Sequence, residues 1–390
     1  MEHHLTEEQQ TIRDLARTIA EEKVKAVRAK YDEEGTFPSD IVRELARVDM
    51  FRVFIPVAYD GMLEQGLGVT NMCLVTEELS KACGGIALAF AGTALGAFPV
   101  LLFGSEEQRK KYLPPIAAGE KLAAFGLTEP MAGSDAAALR TTARREGNEY
   151  VLNGTKVFIT NGGEADIYTT VALTNPGKGA RGASAFIVEK GTPGFSFGKK
   201  EKKMGIRASV TSELIFENAR VPAENLLARE GMGFIVAMKT FDVSRPGVAA
   251  QALGIAEGAL EETLRYVHQR RQFGQSIVNF QGVQWMLADM ATHIEAARSL
   301  IYSLADRIDR GDTKDIGYLS AMAKVFASDV AMKVTTDAVQ LFGGYGYMTE
   351  YPVEKMMRDA KITQIYEGTN QIQRNVIGVH LAKQAAKLAG

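Results

Sequence analysis

The chain has 390 residues, room for two or three domains, and its 46% hydrophobic and 24% charged content is ordinary for a globular enzyme. A net charge of −2 gives no general attraction for nucleic acid or anionic lipid. Cys73 and Cys83 form no Cys-x-x-Cys pair and the histidines at 3, 4, 268, 293 and 380 lack ligand spacing, so neither a disulfide framework nor a metal centre is expected.

The first residues show no apolar signal core and no Arg-rich leader. The expectation is a bacterial cytoplasmic protein, ahead of a mature matrix form. Residues 1–120 read as a helical domain. Thr6 and Gln9 form a capping box before the stripe Ile12, Leu15, Ala16 and Ile19. Pro38, Ser39 and Asp40 open a second helix, and Glu77 and Glu78 sit in a third. Ser105 with Gln108 caps a fourth, expected to end at Pro114 and Pro115. The apolar run 86–103 falls just short of the ~20 residues a membrane span needs, and it carries Gly92, Gly96 and Pro99. A buried helix or pocket wall is the better reading, with no membrane insertion.

Residues 121–232 change period and read as a β-domain. Asn153-Gly154 between two apolar runs predicts a hairpin over 150–160 with a type I′ turn. Further strands are expected at 167–173, 185–188 and 212–216. Residues 233–390 return to helical periodicity, with long segments over 234–270, 283–308, 318–341 and 370–388. Four long amphipathic helices predict a bundle whose apolar stripes exceed one subunit's needs, hence an oligomer. The fold class is α+β, as a helical domain, an antiparallel β-domain and a four-helix bundle in that order.

No Gly-x-Gly-x-x-Gly joins a strand to a helix, so a Rossmann site is not expected. Near the end, Glu367 stands between Tyr366 and Gly368, just ahead of a helix that Thr369 or Asn370 can cap. A loop acid beside open backbone N–H groups is a place for a base, although loop glutamates are more often simply solvated.

The run from Ile365 through Arg374, with Tyr366-Glu367-Gly368-Thr369-Asn370 at its centre, resembles the signature of the acyl-CoA dehydrogenase family. The α, β, α order resembles that family over the whole chain. The resemblance implies FAD as cofactor and Glu367 as catalytic base. The segment from Phe125 to Asp135 is similar to the family's first signature, with Met131 where Gly is more frequent. It implies that Phe125, Leu127, Thr128, Gly133 and Ser134 meet the flavin, Ser134 reaching flavin or acyl-CoA. Phe158 stands where the family has Trp, keeping an aromatic face and losing the indole donor, with Thr160 following. Arg270 with Phe273, and Gln340 with Gly343 and Gly344, resemble blocks that reach a neighbouring subunit's FAD, Arg270 pairing with the pyrophosphate. Thr369 and Gln371 are the last implied FAD contacts. Asp242 and Arg245 resemble the segment that meets the CoA moiety, and Tyr366 and Gly368 flank the acyl group. Some members place their base just before this Arg; here Ser244 occupies that place and cannot serve.

The implied reaction is α,β-dehydrogenation of an acyl-CoA to the 2-enoyl-CoA, with electrons passed to an electron-transferring flavoprotein and a homotetramer as the assembly. By analogy residues 87–98 line the acyl pocket, in a pattern nearer the medium-chain than the short-chain type, and Gly92 and Gly96 could leave room for a branched or cyclic group. No Arg or Lys occurs between Lys81 and Arg109, which disfavours a dicarboxylyl substrate. The expectation is a neutral short- to medium-chain acyl-CoA. Alternatives are an enoyl-CoA reductase in an anaerobe, an acyl-CoA oxidase, or a scaffold relative that has lost its base or gained a basic patch.

Overall fold

A computed structural model describes residues 5–312 and 314–389. Helix α1 (Glu7–Ile19) starts at the reciprocal Thr6/Gln9 capping box and buries Ile12, Ala16 and Ile19. A π-helical turn, Ala20–Val24, joins it to α2 (Lys25–Glu34), and α3 (Ser39–Arg47) follows Pro38. Every residue of α4 (Val69–Ala82) is buried.

The apolar run becomes α5 (Gly84–Phe103), which is long and apolar enough to cross a membrane but lies 72% buried inside the protein. Helix α6 (Glu106–Ala117) uses the Ser105/Gln108 box and runs through Pro114 and Pro115 instead of stopping there. The prolines lose their own N–H bonds. Their carbonyls still accept from Ala118 and Glu120, so the last turn holds.

Eight strands make one sheet: β1 (Ala123–Gly126), β2 (Thr142–Glu146), β3 (Glu149–Thr160), β4 (Ile167–Leu173), β5 (Ala183–Glu189), β6 (Phe195–Lys200), β7 (Thr211–Pro222) and β8 (Leu226–Leu227). The order is β6-β7-β3-β2-β4-β5-β8, with β1 on β4. Most pairs are antiparallel, while β1 and β2 meet β4 in parallel.

The expected hairpin over 150–160 does not form. Those residues belong to β3, one strand with a bulge between Leu152 and Gly154. A type I′ turn needs left-handed φ at both central residues, and Asn153 does not adopt it. Its side-chain Oδ1 instead accepts from the Asn218 backbone N–H at 2.9 Å, and its Nδ2 donates to Asn218 Oδ1 at 3.2 Å. Gly154 is needed because a Cβ there would lie 2.5 Å from Thr141 Oγ1. The hairpin that does form joins β2 to β3 through Gly147, at φ 61°.

Helix α7 (Gly233–Gln269) is the spine, packed against α4, α5 and the later helices α8 (Gln281–Asp309) and α9 (Ile316–Phe342). Residues 243–256 are buried on all faces, as a helix between two layers must be. Pro246 cannot bond the Asp242 carbonyl one turn back, and Ser320 Oγ from α9 donates to that carbonyl at 2.6 Å. The bundle adds one helix not expected from the sequence, α10 (Val353–Thr363), before α11 (Asn370–Ala389).

Candidate active site

Between α10 and α11 the chain makes a tight loop. Asn370 N–H donates to Gln364 O at 2.9 Å, and Thr369 Oγ1 accepts from Ile372 N at 3.2 Å, so Thr369 is the cap. Glu367 and Gly368 both have positive φ, 50° and 90°. For a non-glycine residue this conformation costs about 1–3 kcal/mol and persists only where surroundings hold it. They do: Arg245 Nε and Gln373 Nε2 donate to the Glu367 carbonyl at 3.2 and 3.0 Å. Gln373 Nε2 and Lys324 Nζ donate to the Gly368 carbonyl at 3.0 and 2.8 Å.

The Glu367 side chain enters a cavity of about 370 Å³ between α5, α7 and the sheet. Ser244 Oγ donates to Oε2 at 2.6 Å. Oε1 and the Glu367 backbone N–H have no partner among the described residues. Burial pushes the carboxyl above its ordinary value, against the Ser244 hydrogen bond and the charges of Arg245 and Lys324, which pull it down.

The sheet supplies one wall of this cavity, through Phe125, Leu127, Thr128, Gly133, Ser134, Phe158 and Thr160. Phe158 has φ 61° at a register shift in β3, which turns its ring out of the sheet, 64% exposed. Arg245, Tyr366 and Gly368 also line the cavity, as does the apolar face of α5. Asp242 does not: its carboxylate meets Lys239 at 3.1 Å and faces Gly317. Thr369 and Gln371 also lie outside the lining.

Arg270, Gln340, Gly343 and Gly344 line a different, open groove near the end of α7. Arg270 stacks over the Tyr345 ring there, and Phe273 stands 92% exposed in the adjacent turn. One chain therefore brings together only the first group of expected residues.

Gly92 and Gly96 do not open space for a ring. A Cβ on Gly96 would lie 2.4 Å from Ala124 N, and one on Gly92 2.8 Å from Thr160 Cγ2. Both glycines let α5 press against the sheet.

Sequence reasoning missed Ser244 as holder of the acid, and Gln251, Gln373 and Lys324 altogether. Lys324 left a signal: it falls on the apolar stripe of α9 with Ala321, Ala327 and Ala331.

Models of the acyl-CoA dehydrogenase N-terminal, middle and C-terminal domains match residues 6–120, 124–219 and 231–382. The chain belongs to the acyl-CoA dehydrogenase family. The short-chain-specific acyl-CoA dehydrogenase of Clostridium acetobutylicum is 51% identical over 97% of this chain and 98% of its own. The butyryl-CoA dehydrogenase of Megasphaera elsdenii superposes with TM-score 0.95 at 48% identity, covering 98% of this chain and 100% of the other. A chain in the structure of the electron transferring flavoprotein of Acidaminococcus fermentans gives 0.94 at 51% identity, covering 98% and 99%.

Acyl-CoA dehydrogenases are flavin enzymes, and the cavity fits a flavin ring. Phe158 offers an exposed aromatic face beside the hydroxyls of Thr128, Ser134 and Thr160. A Cβ on Gly133, Gly343 or Gly344 would meet nothing within 4 Å, so backbone is open to a ligand at both sites.

Proposed function

We propose that this chain dehydrogenates a short, neutral acyl-CoA to the trans-2-enoyl-CoA, with Glu367 as base, FAD as cofactor and an electron-transferring flavoprotein as acceptor. The observation that carries the reading is the buried Glu367 carboxylate, held at Oε2 by Ser244 with Oε1 open to the cavity.

The α-hydrogen of a thioester is weakly acidic, so the base must be ionised and shielded from water. Oε1 takes the α-proton while the Ser244 O–H steadies the other oxygen. The open Glu367 N–H is available to the thioester carbonyl, where negative charge grows. Bound FAD would supply the hydride acceptor for the β-hydrogen. Phe125, Leu127, Thr128, Gly133, Ser134, Phe158 and Thr160 would hold its ring. Arg270, Phe273, Gln340, Gly343 and Gly344, with Thr369 and Gln371, would serve the FAD of a neighbouring subunit in a homotetramer.

Of the expected substrate residues, Ser134, Arg245, Tyr366 and Gly368 line the cavity, while Asp242 lies outside the lining on α7. The buried Arg245 guanidinium spends Nε on the loop and faces the Phe241 ring, leaving its other N–H groups for the CoA side.

Chain length is read from Gln251. It lies two turns beyond Ser244 on α7, about 10 Å at 1.5 Å per residue. Its side chain donates to Gly84 O at 2.9 Å and accepts from the Tyr366 hydroxyl, a polar bar across an apolar pocket. This favours the short end of the expected range. Arg245 is the one cationic side chain of the lining among the described residues, which supports exclusion of a distal carboxylate. The buried Cys73 and Cys83, neither in a disulfide, suit a bacterial cytoplasm.

Initial rates across butyryl-, octanoyl-, isobutyryl- and glutaryl-CoA test the substrate reading. Butyryl-CoA should be the fastest. Octanoyl- or glutaryl-CoA turning over equally well would overturn it.

A further inference from the structure

Lys324 is fully buried on α9, yet the reaction as described gives it no part. Its Nζ donates to Gly368 O at 2.8 Å and to Asn370 Oδ1 at 2.9 Å, both uncharged acceptors. A buried ammonium without a hydrogen-bonded carboxylate is costly, and its nearest buried neighbours along α9 are the small residues Ser320, Ala321, Ala327 and Ser328. A leucine or methionine would fill such a place at less cost, so packing does not account for the lysine.

The surrounding charges indicate what does. From the α10–α11 loop, the Glu367 carboxylate favours the charged lysine; from α7, the Arg245 guanidinium opposes it. Asp329, on α9 itself, also favours the charge, but its oxygens are engaged by Asn370, Gln364 and Arg374. On α11, Asn370 and Gln373 offer only neutral amides to this corner. Burial outweighs the rest and pulls the Lys324 pKa down to about 7. The charge Lys324 answers to without a competing hydrogen-bonded cation is Glu367.

We propose that Lys324 is a positioning residue for the base: its ammonium pins the left-handed Glu367–Gly368 loop and the start of α11, and its charge keeps Glu367 ionised in the apolar cavity. This rests on the reading of Glu367 as base. Position and charge come from one atom, which explains a lysine where an apolar side chain would pack. The two roles separate by substitution. Lys324→Gln keeps a donor for the Gly368 carbonyl and loses the charge; Lys324→Met loses both.

The test is the pH profile of kcat/KM with butyryl-CoA and a dye acceptor, on parent, Lys324→Gln, Lys324→Met and Glu367→Gln chains, each checked for bound flavin. Removing a nearby positive charge raises a carboxyl pKa. The acid limb should therefore move to higher pH by about one unit in both lysine variants, with kcat/KM near pH 6 falling up to about tenfold. Lys324→Met should lose further activity at all pH values. Should Lys324→Met fail to hold flavin, Lys324→Gln carries the test alone. A flavin-loaded Lys324→Gln chain with the parent's acid limb would overturn the charge role and leave Lys324 structural. Full turnover by Glu367→Gln would instead overturn the base assignment, so the two failures are told apart.

Discussion

At the residue scale the decisive group is the Glu367 carboxyl, buried where water is scarce. Burial raises its pKa, so the acid limb of kcat/KM should lie above the ordinary carboxylate range of about 4.3. The sign is fixed: a base works unprotonated, so activity rises with pH through that limb. Ser244→Ala removes a hydrogen bond that favours the charged form, and such bonds are worth about 1.5–3 kcal/mol. The limb should move up by about one unit or more. An unmoved or lowered limb would show that Ser244 does not support the carboxylate.

The acid itself was legible because its motif is local: Tyr366, Glu367 and Gly368 are contiguous. Its supports were not, because Ser244, Lys324 and Gln373 reach it from three different helices. Ser244 had been noted only for what it cannot do.

At the element scale, close approach between α5 and β1 sets the cavity wall. Gly96→Ala would put a methyl 2.4 Å from Ala124 N and 2.6 Å from Ala123 C, backbone atoms that cannot rotate away. Overpacking of this kind costs about 1–3 kcal/mol, and a lowered denaturation midpoint should report it. An unchanged midpoint would mean that the helix and strand are not so close.

The loop after β1 has its own anchor. The buried Lys156 ammonium donates to Leu127 O at 3.1 Å and to Glu129 Oε1 at 2.6 Å. Glu129 in turn accepts from the Arg140 and Thr141 N–H groups. Lys156→Met strands a buried carboxylate and should cost about 3–5 kcal/mol, with flavin loss at a lower denaturant concentration than the parent. Retention of parental stability would remove the pair from the account.

Long elements were legible from periodicity, and β4 and the ends of α7 fell close to expectation. The failures were contextual. Asn153-Gly154 is a turn signal until Thr141 and Asn218 claim it, and α10 hides its stripe by burying Lys355 and Asp359 beside Val353, Met356 and Ala360.

At the scale of the whole molecule, one chain holds two sites that do not meet. The Glu367 cavity is walled by α5, α7 and the sheet, while Arg270, Gln340, Gly343 and Gly344 line a groove elsewhere. Phe273 at 92% exposure and Trp285 at 62% are large apolar surfaces for a lone chain. The proposed assembly would cover such surface and would present the groove to a neighbour's FAD. Dilution that lowers the mass seen by light scattering should then release flavin in parallel. Arg270→Ala should lose flavin at higher protein concentration than the parent. Flavin held equally well by a monomer would contradict it. The helix–sheet–helix order was legible in the sequence. The sequence points to an assembly only through surplus apolar surface, because a single chain's pattern does not name its neighbour.

The most direct measurement is anaerobic bleaching of the flavin absorbance by butyryl-CoA, for the parent and Glu367→Gln chains, both loaded with FAD. The account predicts rapid bleaching in the parent and a rate lower by about 10²–10⁴-fold in the variant, the range a general base supplies. Equal bleaching in both would show that the α-proton leaves by another route and that Glu367 is not the base.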